Sequence, residues 1–347
     1  MIVDRYSYSS AKMSANATTQ KLGIATVEKK TSSPPEFIED LNIQVSWLYY
    51  MEGKTQDDIS KALGLSRSKV LRILAHSRQN GTVEIKIATS LSRCIELERT
   101  LENLMGLERA IVIPSCQSPE AEYADLGVAL GSYISGILED NMSIGLGWGR
   151  TLSSSLSQIE YREQKGLKVI SMLGGLTRVN RHNLSEFAWR FADRLSAQGY
   201  LMSVPILAPD IRTRDALFSH AGINEIVEKS KSLDLAIVTA GDLSPYSTVS
   251  QFSILEREDV ASLEAVGAIG HVLFRFIDAN GHVVDHPIND RVMAIDPREL
   301  ATTRKIVLAS GGWRKFDVVS AAMKLLKPHV LVTDESVAER LVTEAQR

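Results

Sequence analysis

The chain has only two cysteines, Cys94 and Cys116, and they form no C-x-x-C pair. This excludes a disulfide framework and a cysteine-ligated zinc site, and it fits a reducing cytoplasm. No apolar run approaches the roughly 18 residues that a membrane helix needs. The start, MIVDRYSYSSAKMSAN, has no basic head followed by an apolar stretch, so export and membrane insertion are not expected. Net charge is small, -3 overall, which argues against a general nucleic-acid coat protein. No internal repeat is visible. Residues 1–35 are rich in Ser, Thr and Lys, close on Pro34-Pro35 and hold too little apolar area to offset ordering. They read as a flexible tail, with a DNA-scanning arm as the alternative.

What remains is ordinary globular material. A hydrophobic share of 44% and a charged share of 23% in 347 residues suffice for full cores, and the length suggests about two domains. The small overall charge hides a local excess. Between Lys54 and Arg78 stand Lys54, Lys61, Arg67, Lys69, Arg72 and Arg78 against Asp57 and Asp58. Basic charge confined to one short segment is what phosphate contact by a single module needs.

That segment also has the spacing of a helix-turn-helix. Helical periodicity begins near Phe37, with Leu41, Val45, Leu48 and Tyr49 on one stripe. Helices over residues 56–63 and 67–77 follow, and Ile59, Leu63, Leu65, Val70, Ile73 and Leu74 can close a small core. Gly64 falls where a sharp turn calls for positive φ, and Ser66 is placed to cap the next helix. An alternating strand over residues 82–87 completes a winged arrangement. Arg67, Ser68, Lys69 and Arg72 are the expected DNA contacts, with Thr55, Gln56 and Ser66 flanking them. A bidentate Arg can read guanine, and hydroxyls and amines can hold phosphate. The competing reading is a solvated basic face on a helical protein-interaction module.

A leucine-bearing helix over residues 91–105 connects the halves, packing either on its own domain or on a second subunit. Apolar, strand-like runs then alternate with helical stretches at residues 110–113, 143–146, 168–172, 201–204, 235–238, 305–308 and 329–332. This is the pattern of a parallel sheet with crossover helices. The expected domains are residues 1–35 (tail), 36–90 (DNA-binding), 91–106 (connector) and 107–347 (α/β effector).

Three glycine-containing loops follow strand-like runs. Gly147-Trp148-Gly149-Arg150-Thr151 offers backbone N–H groups, a guanidinium and a hydroxyl. Gly174-Gly175 and Gly311-Gly312 repeat the theme. Loops at the carboxyl ends of parallel strands converge on ligands, and phosphate or polyol oxygens would suit these donors. Lys315 is placed to meet a phosphate or hydroxyl, and Asp242 and Asp278 can accept from sugar hydroxyls. His282 and His286 lie four apart, but Gly281 and Pro287 argue for a surface loop, so no metal and no cofactor is expected.

The series Trp47-Leu48-Tyr49-Tyr50, Gly53, Thr55-Gln56, the helical motif and Gly81-Thr82-Val83-Glu84-Ile85 resembles the SorC family of sugar-binding transcriptional regulators. The resemblance continues through residues 144–152, Leu173-Gly174-Gly175, Ala208-Pro209, residues 267–270, Arg275-Phe276-Ile277-Asp278, Gly311-Gly312 with Lys315, and residues 331–335. It implies an all-α winged helix-turn-helix N-terminal domain plus an α/β Rossmann-like effector domain related to sugar-phosphate isomerases and deaminases. It further implies a tetramer acting on double-stranded operator DNA under control of a sugar, polyol or sugar phosphate. Ser60 stands where such motifs usually have Ala, His271 replaces an acidic residue, and Ser310 precedes the glycine pair in place of Ala. The expected function is a non-enzymatic regulator of a carbohydrate or polyol operon. The rival is a sugar-phosphate isomerase or deaminase with an N-terminal assembly domain, for which no convincing acid–base pair is apparent.

Overall fold

A computed structural model describes residues 34–83, 91–116, 118–176 and 186–347. The tail before residue 34 and the wing strand from residue 84 onward lie outside the described residues. The chain forms two compact units, Met1–Lys86 and Ile87–Arg347.

The first unit holds α1 (Pro34–Tyr50), α2 (Gln56–Leu63) and α3 (Arg67–Gln79). Pro34 and Pro35 open α1 where the sequence reading has them closing the tail. Proline suits a first helical turn because the N–H it lacks has no acceptor there. Val45, Ile59, Val70, Ile73 and Leu74 are buried together, flanked by Leu41, Leu48, Tyr49, Leu63 and Leu65. Local chemistry sets the two helix starts. Thr55 and Asp58 form a capping box on α2, and the Ser66 hydroxyl accepts from Lys69 N–H at the start of α3. Gly64 has φ +63°, and its N–H donates to the Ser60 carbonyl. The serine that departs from the usual alanine adds a tie of its own. Ser60 Oγ donates to Leu65 O at 2.7 Å while Leu65 N–H returns to Ser60 O at 3.0 Å.

In the second unit α4 (Leu91–Met105) precedes β1 (Arg109–Ile113), α5 (Pro119–Ile137), β2 (Ser143–Leu146), α6 (Arg150–Ser155) and β3 (Lys168–Ser171). Then come α7 (Phe187–Arg194), β4 (Gln198–Tyr200), α8 (Ile211–Phe218), α9 (Ala221–Ser230), β5 (Leu235–Val238) and β6 (Ala240–Asp242). The rest comprises α10 (Thr248–Gln251), α11 (Arg257–Ala265), β7 (Gly270–Val272) and β8 (Arg275–Ile277). Last are β9 (Lys305–Ala309), α12 (Phe316–Leu326), β10 (Val330–Asp334) and α13 (Glu335–Ala345).

Seven strands form one sheet in the order β1-β10-β9-β5-β2-β3-β4, and every pairing is parallel. From β2 the chain steps outward to β3 and β4, returns to β5 on the other side of β2, and continues through β9 and β10 toward β1. The β2–β5 junction is thus a switch point, where successive crossovers leave in opposite directions and a crevice opens at the strands' carboxyl ends. A second sheet, β6-β7-β8, is antiparallel.

Two features stiffen this frame. On the edge strand β1, Ala110 N–H donates to Glu102 and Val112 N–H to Glu98, both on α4. Side chains thereby satisfy an edge that would otherwise template another strand. On α5, Gly127 and Gly131 let α6 and the turn after it approach to backbone contact. A Cβ at Gly127 would lie 2.9 Å from Thr151 O, and one at Gly131 would lie 2.8 Å from Gln158 Cβ.

The apolar run at residues 201–204 is not a strand. The sheet edge is Gln198–Tyr200, three residues earlier. An outermost strand needs no continuous apolar run, whereas Met202 is buried in the loop beyond it.

Candidate functional site

On the first unit, α3 presents Arg67, Ser68, Lys69 and Arg72 to solvent, while Val70, Ile73 and Leu74 face the core. Arg67 Nε lies 3.5 Å from Asp57 Oδ1. An exposed pair of this kind contributes little and leaves the guanidinium free to exchange partners. Among the described residues, Lys69 and Arg72 have no ion-pair partner. Ser66 and Thr55 serve as caps, and Ser66 Oγ also lies 3.1 Å from Ser68 Oγ. Gln56 opens α2 and is half-buried. The helix starts with hydroxyls and carries its charge along one solvent face.

On the second unit, the loop after β2 begins with Gly147 N–H donating to Ile237 O of β5. Gly149 has φ +154°, and a Cβ there would come within 3.2 Å of Thr239 Oγ1. Trp148 is buried, and its indole N–H donates to Gly174 O at 3.1 Å, tying the loops after β2 and β3 together. Thr151 is buried at the start of α6.

A cleft opens beside this junction, lined by residues that include Glu122, Tyr123, Asp242, Ser244, Tyr246 and Lys315. Two cations expected from separate motifs meet over one ring. Arg150 Cζ lies 5.0 Å and Lys315 Nζ 4.3 Å from the Tyr123 ring centre, within cation–π range. Arg150 also donates to Gln251. Lys315 Nζ lies 3.9 Å from Glu122 Oε1, with side-chain exposures of only 12% and 14%. Burial raises the Glu122 carboxyl above the ordinary range. Lys315 and Arg314 oppose that rise, and Asp334 and Asp242 add to it.

Other groups are already engaged. Asp334, at the end of β10, accepts from Gly312 N–H and from the N–H groups of Ser336 and Val337, so it caps α13 while backing the cleft. Asp242 accepts from the Ser244 hydroxyl at 2.8 Å. Ser310 Oγ donates to Ala240 O, which fastens β9 to β6. Cys116 also lines the cleft, but burial and its bond to Asp125 push its thiol up to about 11, so it is not a nucleophile near neutral pH. His271 lies across Gly241 against Phe274 and Phe276. Its Nδ1 is buried without a hydrogen-bond partner among the described residues, and burial lowers the ring to about 4.

The expected loops thus divide. Arg150, Lys315 and Asp242 gather at or beside the cleft. Gly174 and Gly175 spend their N–H groups on Met293 O and Val204 O, so those donors are not open to a ligand. Asp278 holds a turn, accepting from Asn280 and His282 N–H, and Gly281 of that turn packs near Leu325, at the far end of α12 from Lys315. His282 pairs with Asp278 and His286 with Ser262, and no metal-binding cluster occurs among the described residues. Glu122 and Tyr123 carry no local signal in sequence, because the approach of α5 to the cleft is a tertiary event. Trp313 and Arg314, by contrast, adjoin the Gly311-Gly312 and Lys315 signal.

Residues 89–343 match the family model described as "Putative sugar-binding domain". The chain is similar to the erythritol catabolism regulatory protein EryD of Brucella abortus, with 29% identity over 306 residues, 88% of this chain and 96% of that protein. It is also similar to the deoxyribonucleoside regulator of Bacillus subtilis, with 26% identity over 312 residues, 88% of this chain and 98% of that protein. The class is therefore that of a transcriptional regulator built on a sugar-binding α/β domain. The crystal structure of the full-length sorbitol operon regulator SorC from Klebsiella pneumoniae matches at 25% identity and a TM-score of 0.67, covering 88% of this chain and 99% of that one. The chain belongs to the SorC family of sugar-binding transcriptional regulators.

Proposed function

We propose that this chain is a cytoplasmic, non-enzymatic transcription factor for a carbohydrate or polyol operon. The cleft of its second unit binds a sugar, polyol or sugar phosphate, and its first unit is a winged helix-turn-helix that binds double-stranded operator DNA. One observation carries the reading most. Lys315, Arg150 and Asp242, each read separately from sequence, gather with Glu122 and Tyr123 at or beside one cleft at the carboxyl ends of a parallel sheet. That mixture of donors, acceptors and an aromatic face suits hydroxyl-bearing ligands. On the first unit Arg67, Ser68, Lys69 and Arg72 supply base and phosphate contacts, supported by Thr55, Gln56 and Ser66. Gly147, Trp148, Gly149 and Thr151 shape the loop that presents Arg150. Gly174 and Gly175 act indirectly in this reading, Gly174 by holding Trp148 of the loop that presents Arg150, and Asp278 acts only by holding the turn packed on the far end of α12. The assembly is a homo-oligomer, a tetramer in this reading, whose symmetry matches paired operator half-sites. Ligand occupancy shifts the population able to engage both.

The test is fluorescence anisotropy on the chain's own promoter region at several salt concentrations, with and without a panel of sugars, polyols and their phosphates. Salt-dependent binding that one member of the panel changes is the expected result. Binding that ignores every member, or turnover of a sugar phosphate by a chain lacking the first unit, would sink the reading.

A further inference from the structure

A phosphate dianion is held by a cation without a counter-charge or by backbone N–H groups without an acceptor. At the floor of this cleft one donor of each kind is engaged by the protein's own carboxylates, while Arg150, which also contacts the Tyr123 ring, is held by the neutral Gln251. Lys315 Nζ faces Glu122, and Gly312 N–H donates to Asp334. Asp242, which accepts from the Ser244 hydroxyl, lines the same space as a further carboxylate. Arg314, beside Lys315, is turned against the rings of Trp313 and Tyr246, which are both well exposed.

We propose that Glu122 is a specificity-determining residue: by neutralising Lys315 within the cleft, it makes the site select an uncharged, polyhydroxylated ligand over the phosphate ester of the same ligand. The inference rests on the cleft being the effector site. Ligand hydroxyls can donate to Glu122 and Asp242 and accept from Lys315 without altering the charge balance, and a sugar or polyol ring face can lie on the exposed aromatic rim. A phosphate entering the same floor must draw Lys315 away from Glu122. That leaves a half-buried carboxylate unpaired beside two new negative charges, an arrangement low-dielectric surroundings penalise. Burial already holds the Glu122 carboxyl above its ordinary range, so the loss of its cation falls on a group with little water to turn to.

Sulfate probes the charge rule without knowledge of the effector. Isothermal titration on the full chain should show Glu122→Gln binding sulfate at least tenfold more tightly than the unsubstituted chain, with the gain lost in the Glu122→Gln, Lys315→Met double variant. Equal sulfate affinity, or a gain that survives Lys315→Met, overturns the inference. Thermal melting checks that each variant folds, and Glu122→Ala serves where the glutamine variant does not. A second arm compares D-sorbitol and D-ribose with their monophosphates and with a wider panel of sugars and polyols. Tighter binding of any ester than of its neutral partner overturns the inference while leaving the effector reading intact. A panel with no member whose binding Lys315→Met weakens overturns both.

Discussion

On α3 of the first unit, Lys69 and Arg72 stand in solvent with no acidic partner among the described residues, whereas Lys315 of the second unit is nearly enclosed against Glu122 and the Tyr123 ring. The residue type is similar and the handling opposite. Exposed, unpaired cations keep their counterions until a polyanion displaces them, which gives strong and salt-sensitive attraction with little regard for the partner's shape. An enclosed and paired cation attracts weakly at a distance and discriminates at contact, because any ligand must satisfy both members of the pair. The two units differ in mass of core as well. Among the described residues, Val45, Ile59, Val70, Ile73 and Leu74 are the buried apolar residues of the first, against a continuous core spanning both sheets in the second.

The sharpest way to break this comparison is to hollow the smaller core. Ile59 is fully buried, and Ile59→Ala should cost about 2–5 kcal/mol. Calorimetry should then show a transition for the first unit well below that of the second, with DNA binding lost and ligand binding kept. A single unshifted transition would show that the units do not melt separately.

The next effect belongs to the second unit. An unfolded chain protonates His271 near pH 6.5, but the folded chain resists until about 4. The unfolded state therefore binds more protons across that interval, and stability falls as pH drops from about 6.5 to 4, by on the order of 3 kcal/mol in full. Urea midpoints at pH 7, 5.5 and 4 should trace this loss, and His271→Phe should flatten it.

On the exposed side, Arg72→Ala should weaken promoter binding by about 1–3 kcal/mol if the guanidinium reads a base. If it meets phosphate instead, the slope of affinity against salt should fall by about one unit. Neither change should touch ligand affinity in the cleft. Smallest is Ser60→Ala, which removes the hydroxyl tie to Leu65 O and should cost about 0.5–1.5 kcal/mol in chemical denaturation. A gain in stability would mean that closer helix packing by alanine outweighs the bond.

Legibility followed the range of the forces involved. The caps at Thr55 and Ser66 and the positive φ at Gly64 depend on neighbours a few residues away, so the sequence pattern shows them directly. Strands β2 and β5 were bounded correctly because strands covered on both faces read as unbroken apolar runs. Strand β4, at an edge, has no such pressure, and its apolar neighbours misdirected the reading. Strands β6, β7 and β8 are three residues each, too short for an alternating pattern to stand out. In the cleft, glycine loops and a lysine were visible as chemistry. Glu122 and Tyr123 were not, because nothing within α5 distinguishes them from other residues near its start until the sheet brings Lys315 over them.

The glycine pair of α5 has a consequence for the shape of the cleft. With Gly127 and Gly131 pressed against the backbone at Thr151 and the side chain of Gln158, the wall bearing Tyr123 and the wall bearing Arg150 meet with no space between them for a further side chain. A side chain added at either glycine would force the two walls apart, so the shape of the cleft on this side is set by two atoms the sequence leaves out.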